Sequence, residues 1–168
     1  MLQEKDQMLF SKVGVKGECH VRLWSPYDED GTRYREHGRF ARRLKDERII
    51  LPNTVTTIGD AHVADAMSDQ GEGALGWIAT GTGSGQGAGD AGLATSLNRK
   101  ALTSTTQAGN DVIFVGDWAA GVGSGAITEA GIFLGDNNTS MNYYADFAVV
   151  TKGAADTLEI TWTVTYGT

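Results

Sequence analysis

The chain is poor in residues that do chemistry. Its single cysteine, Cys19, rules out an internal disulfide and suits a reducing compartment. Prolines number two: Pro26 sits in turn-forming sequence, and Pro52 follows the short apolar run Ile49-Ile50-Leu51. No apolar run approaches the roughly 20 residues that span a bilayer. The charged stretch Met1 to Gln7 lacks a signal peptide's apolar core, so the expectation is a soluble chain outside the general secretory route. The three histidines, His20, His37 and His62, lie in different elements without metal-ligand spacing to Cys, Asp or Glu. No metal and no cofactor is therefore expected.

Basic residues are scarce too, and unevenly placed. Residues 1–50 hold 11 of the 14 Lys and Arg against 9 acids, a net of +2; residues 51–168 hold 3 against 12, a net of −9. The acidic part would repel phosphate backbones, which argues against nucleic acid as a partner. The basic part suits an acidic partner surface.

What the chain does have is alternation. In residues 157–166, Leu158, Ile160, Trp162, Val164 and Tyr166 share one side, and Thr157, Glu159, Thr161, Thr163 and Thr165 share the other. This is a strand with one buried and one wet face, the mark of antiparallel sheets. Weaker alternation over 15–24 predicts another strand, ended by the turn chemistry of Pro26 to Gly31. A buried strand is expected at 75–80, and further strands at 99–106, 111–119, 125–134 and 142–151, separated by Gly, Asn and Thr turns. The one convincing helix runs over 56–69, capped by Thr56, Thr57 or Asp60, with Val63 and Met67 on one face. Residues 32–48 are charged and weakly patterned, either a strand or an exposed extension. The expectation is a mainly β chain, an antiparallel β-sandwich or barrel, jelly-roll-like, with one short helix. Three segments are expected: an N-terminal arm (1–14), a charged strand or extension (15–50) and an antiparallel β domain (51–168).

Several residues invite a chemical reading. Gly87, Gly89 and Gly92 satisfy G-x-G-x-x-G, but the spacing from the preceding strand and the strands that follow make residues 81–92 a loop, not a dinucleotide site. Cys19 reads as an inert small hydrophobe, with His20 on the opposite face. Asp117, Glu129 and Asp146 lie on predicted strands where a pair could meet as in a glycosidase, although solvated acids are the plainer reading. Glu129 is further read either as an acceptor for turn amides or as a solvated acid. Trp24, Trp77, Trp118 and Trp162 read as core or interface anchors, with a sugar-stacking platform as the alternative. No catalytic residue is expected.

Three segments together resemble a family of tailed-bacteriophage virion proteins. Gly76-Trp-Ile-Ala-Thr-Gly-Thr-Gly83, continuing to the Leu93–Arg99 element, is similar to an IAxGTG strand and loop. Gly125-Ala-Ile-Thr-Glu-Ala-Gly-Ile-Phe133 is similar to an ITEAGLF strand. Phe147 to Tyr166, with Lys152-Gly-Ala-Ala-Asp-Thr-Leu158 and the alternating strand, is similar to KxxxDTLxITWTITF. Asn53 to Gly59 also resembles the way that family enters its core, so the likeness covers residues 50–168; residues 25–48 are longer and more charged than its pattern. The resemblance implies a structural protein of the virion, assembled in the host cytoplasm. A capsid decoration (cement) protein is favoured, a homo-oligomer and most simply a trimer on the major capsid protein. A tail, collar, baseplate or fibre-adaptor part is the alternative, and a carbohydrate-binding module a third reading. The expected docking residues are Arg39, Arg42 and Arg43 of the basic segment. Gly85 and Gly87 are expected at a subunit contact that clamps the loop, unless the loop is only a flexible connector.

Overall fold

The computed structural model describes residues 15–167; the predicted arm, residues 1–14, lies outside the described residues. In chain order the elements are β1 (Val15–Ser25), β2 (Arg35–Glu36), β3 (Arg39–Phe40), β4 (Arg43–Ile50) and β5 (Thr54–Val55). They continue with α1 (Thr57–Met67), β6 (Trp77–Gly81), β7 (Ser96–Ala101), β8 (Ser104–Ala108) and β9 (Asp111–Trp118). The last are β10 (Gly125–Phe133), β11 (Met141–Lys152) and β12 (Thr157–Tyr166). Two five-stranded sheets form, ordered β4-β1-β12-β9-β8 and β5-β11-β10-β6-β7, every strand pair antiparallel. They stack as a sandwich.

Alternation places the core. Cys19, Val21 and Leu23 of β1 face inward beside Leu158, Ile160, Trp162 and Val164 of β12, and Phe114 and Trp118 of β9 continue the layer. Ile78, Ile127, Ile132, Tyr143 and Val150 from the second sheet close it. Burying each such large side chain contributes roughly 1.5–3 kcal/mol, which is how a chain without disulfides holds two sheets together.

The strand expected over 15–24 forms, and the segment set apart as a charged strand or extension, residues 15–50, contributes to this core. β1 is the second strand of its sheet, paired with β12 from Val15 to Trp24 and with β4 from Cys19 to Ser25. The division at residue 50 therefore separates no structural units: residues 43–50 form an edge strand, and residues 26–42 a small excursion carrying the β2–β3 hairpin. The strand expected over 99–106 is two strands in different sheets. The chain leaves β7 at Leu102, whose N–H donates to the Gly76 carbonyl, and joins the other sheet at Thr103, whose N–H donates to the Val115 carbonyl. The helix begins where expected, and Thr56 is the cap: its Oγ1 accepts from the Gly59 N–H at 3.0 Å and donates to the Met141 carbonyl at 2.5 Å.

A second small core lies on the outer face of the second sheet. The β10–β11 pairing shifts between Ile127↔Val150 and Glu129↔Asp146, a bulge that reverses which residues of β10 face inward. Beyond it Glu129, Gly131 and Phe133 face outward, yet all are buried, because residues 82–95 fold back over them. Phe133, Met141, Tyr144, Leu93 and Ala79 pack together there.

Lys45 of edge strand β4 reaches Asp156 in the β11–β12 turn at 2.7 Å, and the Gly153 N–H donates to the same carboxyl oxygen at 2.9 Å. Burial raises the Asp156 pKa, but the bonds from Lys45 and Gly153 outweigh it and the net shift is downward. A carboxyl whose native pKa is depressed stabilises the fold above its unfolded value near 3.9 and loses that contribution as pH falls through the native value. Acid unfolding followed by circular dichroism is therefore expected to show a shallower fall of stability below about pH 4 in Asp156→Asn than in the wild type. Identical acid profiles would refute this role.

Candidate functional site

The predicted chemical residues divide cleanly by position. Cys19 is fully buried and burial pushes its thiol pKa up, which makes it inert as a nucleophile. His20 bonds Glu47 at 2.7 Å and Arg22 at 2.9 Å on the outer face of the first sheet. His37 occupies a turn, and His62 lies 3.8 Å from Glu72. Among the described residues no three His, Cys, Asp or Glu side chains gather as a metal-ligand set. The three acids do not converge: Asp117 pairs with Glu159 in the first sheet, whereas Glu129 and Asp146 face each other in the second. Trp118 and Trp162 are buried in the core, and Trp24 and Trp77 are half-buried in different sheets, so the four build no common sugar-stacking face.

Glu129 is the best-connected of these residues. Its Oε1 accepts from the Gly83 N–H at 3.0 Å and the Thr95 N–H at 2.8 Å, and its Oε2 accepts from the Ala94 N–H at 3.1 Å. A carboxylate accepting several backbone amides makes strong, charge-assisted bonds. It staples both ends of the glycine-rich loop to β10. A Cβ on Gly81 or Gly83 would collide with it, at 2.8 Å for Gly83, so glycine is required at both positions. The phenol of Tyr144 beside it is pushed up to about 12, mostly by burial.

The loop is tied to the body elsewhere as well. Thr57 donates to the Ala88 carbonyl, Met141 to the Ala91 carbonyl, and Leu93 and Asn138 bond each other twice. Gly87, Gly89 and Gly92 therefore cross the face of an antiparallel sheet and lead into β7, with no βαβ unit around them. Gly85 and Gly87 sit on the exposed outside of the loop. Gly85 has a φ of +83°, and no atom lies within 4 Å of a Cβ built there; Gly87 closes a turn with Asp90. Gly85→Val would be strained by its own backbone, so Gly87→Val is the cleaner probe of a subunit contact. If the loop is clamped between subunits, Gly87→Val is expected to lower oligomer stability while the melting of the isolated subunit is unchanged. Unaltered assembly in size-exclusion chromatography would remove Gly87 from the interface.

The most exposed construction is the β2–β3 hairpin. His37 and Gly38 connect its strands with φ values of 48° and 77°, the left-handed pair that a tight two-residue hairpin turn requires. The Arg35 guanidinium stacks 4.1 Å from the Phe40 ring centroid, and Arg33 lies 5.4 Å from Phe40 and 5.7 Å from Tyr27. Phe40 is nonetheless 60 % exposed. The three predicted docking arginines fare differently. Arg39 stands exposed on β3; Arg42 donates to the Thr157 hydroxyl at 3.0 Å; and Arg43 donates to the Tyr27 carbonyl at 2.9 Å, beside Asp28 and Glu29. Among the described residues, Arg33, Arg35 and Arg39 make no ion pair. Sequence reasoning passed over Arg33, Arg35 and Phe40, although the spacing Arg33, Arg35, His37-Gly38, Phe40 is the pattern of a short hairpin.

At the other end of β1 an apolar groove of about 860 Å³ opens between α1 and the first sheet. Val15, Val63, Met67, Leu75, Phe114 and Tyr166 line it, together with Asp60 and His62. Met67, expected on the same helix face as Val63, is 85 % exposed at its rim.

Compared with protein families, with curated proteins and with solved structures, the chain shows no match.

Proposed function

We propose that the chain is a structural component of a tailed-bacteriophage virion. It serves as a capsid decoration (cement) protein bound as a symmetric oligomer, a trimer in its simplest form, to the outer surface of the major capsid protein. The observation that carries the reading is the junction at Glu129. The segment Gly125–Phe133 and the segment Gly76–Gly83 with its continuation to Arg99 resemble virion-protein patterns and are distant in sequence. They meet there through the Gly83, Ala94 and Thr95 amides. The acid in the first pattern and the glycines in the second are parts of one structural device. The buried Cys19 and the amide-bonded Glu129 are reactive groups committed to the fold.

The test is the particle itself. Quantitative mass spectrometry of purified virions is expected to return hundreds of copies per particle, and electron microscopy to place the density on the head. A handful of copies at the neck or tail would move the protein to a collar, baseplate or fibre adaptor. Absence from the particle would reject the reading.

A further inference from the structure

We infer that the arginine–aromatic hairpin of one molecule inserts into the α1 groove of a second copy of the same chain, a head-to-tail contact that builds the oligomer. The inference deepens the oligomer part of the proposed function and rests on it only there. Three observations carry it.

The first is charge. Residues 33–43 hold five arginines against Glu36 alone. No Lys or Arg occurs between Arg48 and Arg99, a stretch that includes Asp60, Asp65, Asp69, Glu72 and Asp90. The groove's helix belongs to that stretch, with Asp60 in its first turn and no basic residue in its last. The second observation is shape and polarity. The hairpin presents an exposed Phe40 held between arginines, and the groove is an apolar trough beside acids, walled by Val63, Met67, Phe114 and Tyr166. Aromatic residues, Phe included, and arginines are enriched at protein interfaces. Complementary charge around them sets orientation and suppresses wrong partners.

The third observation is distance. The hairpin follows Ser25 and the groove contains Val15, the two ends of the 11-residue β1. At about 3.3 Å per residue those ends lie roughly 35 Å apart. The hairpin cannot fill its own groove, so the contact joins different surfaces of two molecules. Such a heterologous interface closes into a ring when the rotation permits and otherwise runs on.

The test uses the isolated full-length protein in sedimentation velocity. Wild type at tens of micromolar is expected to run as a multimer that dissociates as salt rises. Arg35→Glu with Phe40→Asp disables the hairpin, and Met67→Glu disables the groove. All three side chains are exposed, so the melting temperature should hold, and each variant alone is expected to fall to the mass of one chain. Mixed, the two are expected to form a dimer and nothing larger, because one intact hairpin then meets one intact groove. A monomeric wild type, a variant that keeps its full mass, or a mixture that stays monomeric overturns the inference. Survival of the groove variant's oligomer would show that something other than the hairpin joins the copies. Head location on the particle is read independently by microscopy, so failure here leaves that proposal standing, and the reverse.

Discussion

Replacing Glu129 by alanine is expected to cost on the order of 4 kcal/mol or more, because it strands three amide donors under the glycine-rich loop. Hydrogen bonds to a charged group are worth about 1.5–3 kcal/mol each, and a buried donor left without a partner bears its own desolvation cost. The three bonds share one acceptor and are not additive, so the sum is an upper bound. Against a total stability of about 5–15 kcal/mol, the loss brings the domain close to unfolding. Glu129→Gln keeps the shape but turns an NH2 toward some of the same amides, and is expected to lose a large part of the same energy. Hydrogen exchange should show where it goes: Gly83, Ala94 and Thr95 lose protection first, while β12 is protected until global unfolding. A Glu129→Ala protein melting within about 2 °C of wild type would mean that the loop is held without its carboxylate.

Trp162→Ala should be comparably severe. The indole is fully buried, with Cys19 on one neighbouring strand and Phe114 on the other. Truncating a buried Trp costs roughly 3–5 kcal/mol, so soluble yield should collapse. Trp162→Phe should be much milder, because the buried indole N–H has no partner among the described residues and its removal breaks no hydrogen bond. Thr161→Ala, on the wet face one residue away, should be almost silent in thermal melts. A Trp162→Ala protein that folds with a near-native melting temperature would refute the burial.

The different legibility of these sites has physical causes. β12 could be read residue by residue because its pairing with β1 and β9 is unbroken, so period two in sequence is period two in space. β9 was readable in extent for the same reason, and β10 and β11 because Gly, Asn and Thr turns bound them. The face reversal on β10 was not, since a bulge leaves no mark in hydrophobicity until the partner strand is known. The stretch 99–106 reads as one strand because Leu102 and Thr103 are ordinary strand residues, although the chain changes sheets there. Residues 32–48 alternate poorly because β4 is an edge and the hairpin stands free, so neither has a buried face to keep apolar. Glu129 was legible as a possible amide acceptor. The hairpin's aromatic–arginine stack and the groove were not, because both are built from residues brought together only by the fold.

The pairing of β1 with β12, Val15 opposite Tyr166, sets when the molecule can exist. These two strands are far apart in sequence, and the first sheet has no continuous middle until both are in place. Contacts of such long sequence separation are slow to close. Pairing β1 with β12 is therefore expected to be a late step of folding, after local hairpins such as β10–β11 have formed.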